Sequence, residues 1–498
     1  MDGRGSELNE DRLSGCAGTE PKIGDVNEIG LRALDARLPL RLKGVVRDCT
    51  NDNFRVEFLA DTRVADFHGG ARRPCASGLR GRTKVILAAV LGGFLALLLL
   101  AGAIWRPGGL YLDELLYVPV ARALLHGSLP ELPSQIPAGW HHPPLGSYLI
   151  SFGIILAGDN PLGWRLAGIV FGALTLVAIF LWTYLLLRDY RLALTAMVLT
   201  AFNNLWFVMS RVAMLDVFFF AFAIWGVVGI TAAFRLEARV GFRRVCVLFS
   251  GVMFGLSAAC KWTAVDTISV MFAIAFVLFL GAKVPAAAGN KEFAAAACNI
   301  RSVGWLTLVV GFIVLPILSY LAPILAELRE AHCTISLREI LILHGAMFRQ
   351  SKSFPGSLLM RAPWYSWPLR TNPLRGLSYL LGNFVVMWSG LVALVICLRR
   401  LWNGFRLPEV MVVLLYAANL LQWAITPIKT PIYYYYYSAA MFLGPVIVIA
   451  LNQSSLNRTR NVRISFFLIV SAAVFFMYCY PRMAALESPW DCMFGCWN

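Results

Sequence analysis

Eleven apolar runs, each about 17 residues or longer, divide most of this chain, and each can cross the hydrocarbon core of a bilayer as a helix. They lie at 85–105, 163–187, 192–209, 212–233, 246–263, 265–282, 303–324, 377–397, 408–425, 434–451 and 464–480. A soluble fold cannot absorb such a pattern. Its surface must face water, and about a quarter of its residues are then charged; here 14% are charged and 58% are hydrophobic. The predicted fold class is therefore an all-α polytopic membrane protein with about eleven transmembrane helices. The splits at Lys261–Asp266 and around Ser210–Arg211 rest on polar residues that interrupt otherwise continuous apolar sequence.

The net charge of +16 would suit a nucleic-acid partner if it lay on one face of a domain. Instead the cations fall in short clusters between apolar runs, as the positive-inside rule requires, so no nucleic acid is expected as a partner. Arg72, Arg73, Arg80, Arg82 and Lys84 precede the first run. On the same side fall Arg188/Arg191, Arg235/Arg239/Arg243/Arg244, Lys283/Lys291/Arg301, Arg399/Arg400/Arg406 and Arg458/Arg460/Arg463. This alternation predicts a cytoplasmic N-terminus and, with an odd number of spans, an extracytoplasmic C-terminus. The segment 325–376 is an exception, an outer loop that carries seven Lys and Arg, from Arg329 to Arg375. Long loops escape the rule, and a basic outer loop suits an anionic lipid phosphate.

Residues 1–83 are polar and have no cleavable signal pattern, which predicts a mostly disordered cytoplasmic extension ahead of a membrane domain at 84–498. Four of the eleven cysteines, Cys246, Cys260, Cys397 and Cys479, sit in apolar runs as small hydrophobes, and none of the eleven has metal-ligand spacing. Cys492 and Cys496 suit a disulfide or a free pair equally.

Chemistry is expected in the two long outer segments, 106–162 and 325–376. The first holds Tyr111-Leu112-Asp113-Glu114-Leu115-Leu116-Tyr117 and then His141-His142-Pro143-Pro144-Leu145-Gly146. Ionisable groups near the bilayer are costly unless a site uses them. Acidic residues also cap the start of a helix, so Asp113 and Glu114 read equally well either way. Arg165, Arg211, Asp216 and Lys261 interrupt the outer ends of later spans. Singly each reads as a side chain reaching the interface; together they converge at the depth of Asp113.

At this point the chain resembles the protein O-mannosyltransferases, the dolichyl- or polyprenyl-phosphate-mannose–protein mannosyltransferases, and within them the bacterial branch. The resemblance rests on Asp113-Glu114 with Tyr117, His142–Gly146, Gly163-Trp164-Arg165, Ser210–Asp216, and Gly255-Leu256 through Lys261-Trp262. It continues with Pro363–Leu369, Leu381-Gly382-Asn383 before Trp388, and the tyrosine run Tyr433–Tyr437. These pieces stand in family order across 111–451. The resemblance implies a C-type glycosyltransferase fold with eleven spans. Three features depart from the family. Ser147 stands where it usually has a lysine, Pro431 stands near its arginine before the aromatic run, and no β-trefoil interrupts 325–376.

The resemblance also implies an inverting, single-displacement transfer of mannose or a related hexose from a polyprenyl-phosphate sugar to Ser/Thr hydroxyls of exported proteins. Such a reaction needs a base at the acceptor hydroxyl and fixed cations at the leaving phosphate. Asp113 is assigned as the base, and Glu114 positions the acceptor. Arg165, Arg211, Lys261 and Lys429 are the cations that face the phosphate or orient a carboxylate, and Asp216 belongs to the substrate-binding set. His142 lines the acceptor groove and His344 sits above the donor. Trp364 and Trp367 form a lid, and Tyr434 lines the sugar cavity, because five consecutive tyrosines cannot all face lipid. No cofactor and no essential metal are expected. The alternatives are a C-type transferase acting on a lipid or glycan, and a lipid-linked-sugar flippase. Against the flippase, no internal repeat is seen and the ionisable groups gather at one face.

Overall fold

The computed structural model describes the strands within residues 4–58 and, beyond them, residues 76–127, 141–236, 238–281, 290–353, 362–371, 380–426, 432–452 and 458–486. The chain divides into two units, Met1–Leu79 and Arg80–Asn498.

In the first unit the described residues as far as Phe58 are strands. Strands β1 (Arg4–Asn9), β2 (Arg12–Cys16), β3 (Val26–Leu31), β4 (Leu40–Thr50) and β5 (Asn53–Phe58) form an antiparallel sheet in the order β1-β2-β5-β4-β3. The physical reason lies in the sequence. In β5, Phe54, Val56 and Phe58 alternate with Arg55 and Glu57, and a period of two is the signature of a strand.

The second unit is helical, as expected. Its helices are α1 (Ala76–Ala101), α2 (Glu114–His126), α3 (Leu145–Ala157), α4 (Pro161–Leu187), α5 (Tyr190–Ala201), α6 (Asn204–Ser210), α7 (Leu215–Arg235), α8 (Val240–Cys260), α9 (Ala264–Gly281) and α10 (Lys291–Ser302). They continue as α11 (Trp305–Val309), α12 (Leu315–Glu330), α13 (Leu337–Ser353), α14 (Phe384–Trp402), α15 (Leu407–Ile425), α16 (Tyr437–Ala440), α17 (Leu443–Asn452) and α18 (Arg458–Met483). Among the described residues ten helical stretches are long and apolar enough to span a membrane. The bent pair α5 and α6, which meet at 66°, makes an eleventh. The bend falls where Asn203 turns its side chain to cap the Leu205 N–H, which restarts the helix in a new direction.

The two ends of this bundle differ chemically. At one end arginines cap the carbonyls where helices run out. Arg235 donates to Leu185 O and Leu186 O and pairs with Glu292, and Arg400 donates to Ile449 O and Ala450 O. Cations belong there, because the last carbonyls of a helix lack partners and carry the negative end of its dipole. The other end gathers Asp113, Glu114, Asp216, His141, His142 and the tyrosine run.

Candidate active site

Asp113 and Glu114 are neighbours in sequence but serve different surroundings, because successive residues at a helix start point about 100° apart. Leu112 just before them adopts a left-handed backbone, φ +52°, a conformation that a branched residue holds only when its surroundings impose it. Glu114 supplies that constraint. Its carboxylate, with no exposed surface, accepts the Tyr111 N–H at 3.2 Å and the Ala213 N–H at 3.1 Å. It also takes Arg165 bidentately, Nε to Oε1 at 2.8 Å and Nη2 to Oε2 at 2.9 Å. The remaining Arg165 donors reach Ile104 O at 2.8 Å, Pro107 O at 3.0 Å and Gly109 O at 3.2 Å. A guanidinium has five N–H donors, and all five are used.

Close helix packing makes this clamp possible. The 210–212 backbone crosses α4 at Gly168, where a Cβ would meet Ser210 O at 3.0 Å and Val212 O at 3.3 Å. That crossing brings Ala213 to Glu114. Glu114 and Arg165 therefore knit the Tyr111–Glu114 turn to α4 and to the start of α7. This corrects the expectation that Glu114 contacts the acceptor and Arg165 the phosphate, since neither has hydrogen-bonding capacity to spare.

Asp113 is placed differently. It occupies the N-cap position of α2, yet its side chain caps no backbone N–H. Instead the Tyr434 hydroxyl donates to Oδ2 at 2.6 Å. Among the described residues Oδ1 accepts no hydrogen bond. Burial raises the Asp113 carboxyl from its ordinary 3.8 to about 6, offset in part by the Tyr434 hydrogen bond and by Lys261. Lys261 stands where α8 ends. Its Nζ lies 2.9 Å from both Asp216 oxygens, 4.7 Å from the Tyr435 ring centre and 5.9 Å from that of Tyr434. His142 completes the group beside Tyr117, ring centres 6.3 Å apart, and burial holds its imidazole neutral with help from His141 and Lys261. Asp113, His142, Asp216, Lys261 and Tyr434, drawn from five separate stretches of sequence, thus come together.

Other expected residues lie elsewhere. Arg211 donates from Nη2 to Ala103 O at 2.8 Å and stacks over Phe207 at 4.8 Å, so it faces the end of α1. His344 has both ring nitrogens engaged. Nδ1 contacts Ile340 O at 2.7 Å, Nε2 contacts the Tyr320 hydroxyl at 2.6 Å, and that hydroxyl accepts Trp262 Nε1–H at 3.0 Å. A carbonyl only accepts, so the proton sits on Nδ1 and Tyr320 donates to Nε2. His344 thus fixes α13 to α12 and Trp262, a correction to its expected place above the donor. Trp367 is fully buried and donates Nε1–H to Ala362 O at 2.9 Å, which makes it a packing residue and corrects its half of the expected lid. Trp364 stays partly exposed, edge-on to Tyr365. Lys429, Cys492 and Cys496 lie outside the described residues.

The tyrosine run is a 3-10 helix over Tyr433–Tyr436 that passes into α16, and Tyr433, Tyr434, Tyr436 and Tyr437 are buried. Tyr435 lies between Lys261 and Trp423, whose ring stacks 4.3 Å away at 2°. Sequence reasoning did not single out Trp423 or Tyr320. Each is one aromatic residue in an apolar span, and only tertiary contact gives it a role.

Three comparisons with known proteins say what the chain is similar to. Residues 141–320 match the family model for dolichyl-phosphate-mannose-protein mannosyltransferases. Over this part the chain is similar to the protein O-mannosyltransferases. The match includes His142, Arg165, Arg211, Asp216 and Lys261 and begins after Asp113 and Glu114. The polyprenol-phosphate-mannose–protein mannosyltransferase of Mycolicibacterium smegmatis is 31% identical over 159 residues, which is 28% of this chain and 29% of that protein. Its Mycobacterium tuberculosis counterpart matches to the same extent. The chain spans less than a third of the length of these curated relatives. The yeast protein O-mannosyltransferase Pmt1-Pmt2 complex bound to the sugar donor superposes with TM-score 0.69 at 11% identity, covering 86% of this chain and 95% of that one. The helical unit thus has the C-type glycosyltransferase fold of an integral membrane protein.

Proposed function

We propose that this protein is an inverting glycosyltransferase that moves mannose, or a related hexose, from a polyprenyl-phosphate sugar to Ser/Thr hydroxyls of exported proteins. In this reading the helical unit lies in the cell's inner membrane, with the N-terminus cytoplasmic and the Asp113 end extracytoplasmic. The observation that carries it is the state of Asp113: a carboxylate that caps nothing, keeps one oxygen available and lies near a buried lysine. The acceptor oxygen attacks the anomeric carbon while its proton passes to Oδ1 of Asp113. The bond from that carbon to the lipid phosphate breaks on the opposite face, and the phosphate keeps the electron pair. Lys261 balances the charge that builds there, because its hydrogen bonds to Asp216 leave an N–H available and Asp216 holds the ammonium in place. His142, neutral and beside Tyr117, lines the acceptor side.

The donor and acceptor named in the curated relatives support the substrate class. The test is transfer from radiolabelled polyprenyl-phosphate mannose to a Ser/Thr-rich peptide by the purified chain in nanodiscs, with the sugar then released by alkaline β-elimination. Label that enters lipid or glycan and not peptide would move the protein to the related class of C-type transferases. No transfer to any of the three would refute the reading.

A further inference from the structure

Among the described residues a single hydrogen bond reaches the Asp113 carboxylate, the one from Tyr434. That phenol is 3% exposed, and a hydroxyl so deeply buried needs a partner. Its partner is the proposed base. The ring cannot swing away easily. Tyr434 packs edge-on to Tyr435 at 4.8 Å and 75°, Tyr435 stacks on Trp423, and Trp423 abuts Trp367 at 5.9 Å. The Lys261 ammonium lies over both tyrosine rings. The 3-10 turn at Tyr433–Tyr436 therefore presents one hydroxyl at a fixed point, and the carboxylate stands on it.

We propose that Tyr434 is the positioning residue of the base: its hydroxyl pins Oδ2, turns Oδ1 toward the acceptor hydroxyl, and sets the pH range in which Asp113 can take a proton. This rests on the reading of Asp113 as the base. It differs from the expected role of Tyr434 as a sugar contact, since the proton that the hydroxyl would donate to a sugar is already committed to Asp113. In the transfer step the acceptor proton moves to Oδ1 as the new glycosidic bond forms, while the phenolic proton stays on Tyr434.

The other groups facing Asp113 leave this role to Tyr434. Lys261 at the end of α8 and Asp216 on α7 are paired with each other. Tyr117 on α2 is held neutral by burial and by the nearby carboxylates, and His142 before α3 is held neutral by burial. Tyr435 presents its ring to Lys261. Among the described residues Tyr434 alone touches the carboxylate with a donor. A hydrogen bond to the charged form favours ionisation, so the phenol keeps Asp113 available as a base at lower pH than its burial would allow.

The test is the pH dependence of kcat/KM for the acceptor peptide between pH 5 and 9, with the full chain in nanodiscs. In the wild type the rate should rise with pH as Asp113 ionises, with a midpoint near 6. Tyr434→Phe should move that midpoint upward by about one pH unit and lower the plateau about tenfold through a less oriented base. Replacing Tyr434 with 3,5-difluorotyrosine keeps the ring and strengthens the donor, so its midpoint should move downward; this variant also serves if the phenylalanine protein does not fold. Midpoints that stay in place would overturn the inference, as would an unmoved midpoint with a raised donor KM, which would return Tyr434 to the sugar cavity. Asp113→Asn separates the two claims. If it retains most activity, the base assignment falls and this inference with it. If it is inactive while both Tyr434 variants keep the wild-type midpoint, only the inference falls.

Discussion

Arg165→Ala should be a lesion of folding and not of donor binding. The substitution removes five hydrogen bonds at once and leaves the Glu114 carboxylate in a fully buried site with only the Tyr111 and Ala213 N–H groups to hold it. Breaking one partner of a buried ion pair typically costs about 3–5 kcal/mol, because the remaining charge stays desolvated. Against a total stability of about 5–15 kcal/mol that loss is large. The assay is thermal unfolding in nanodiscs, followed by tryptophan fluorescence, with transfer measured per folded molecule. Arg165→Ala should unfold well below the wild type, and the donor KM of the surviving folded fraction should change little. The double variant Glu114→Gln with Arg165→Met should lose less than the sum of the single losses, because neither charge is then stranded. A wild-type unfolding temperature together with a donor KM raised tenfold or more would refute the reasoning and place Arg165 at the phosphate.

Two further outcomes follow from the organisation of the chain. Single cysteines placed at Gly108 and at Asn403 should react with impermeant thiol reagents from opposite sides of the membrane, Gly108 from outside; labelling of both from one side would break the span count. A truncation that starts near Gly70 removes all five strands and should still insert and transfer sugar, and an inserted but inactive truncation would give the sheet a role in the reaction.

The membrane spans were legible because hydropathy over about twenty residues is a property of the sequence itself. All eleven reappear, including the bent pair around Asn203. The strands of the first unit are short and charged, and the alternation in Asn53–Phe58 is a weaker signal than the runs of leucine. At the site the sequence identified the residue types but not how they are paired. Asp113 and Glu114 look equivalent in a string, yet one faces α4 and the other faces Tyr434. That division depends on where Arg165 and the tyrosine run arrive in space. His344 and Trp367 carried the right chemistry for a donor site, but nearby carbonyls and a phenol already use it. The tyrosine run is too long for all of its rings to face lipid, and Tyr433, Tyr434, Tyr436 and Tyr437 are buried. Its 3-10 geometry, which singles out Tyr434, was not readable from five identical letters.

Asp113→Asn, compared with wild type for both transfer and stability, tests the central claim most directly. Asparagine keeps the size of the side chain and accepts the Tyr434 hydrogen bond, while it abolishes basicity. Losing a general base costs a factor of about 100 to 10,000 in rate. Burial raises the Asp113 pKa in the folded state from 3.8 to about 6, so folding favours the protonated form, and the fold loses stability as the pH rises between those two values and stays weakened above them. Removing that charge should leave the unfolding temperature at neutral pH equal to the wild type or higher. The account predicts a folded, stable protein whose transfer has collapsed. A variant that keeps most of its activity, or that loses activity only because it no longer folds, would contradict it.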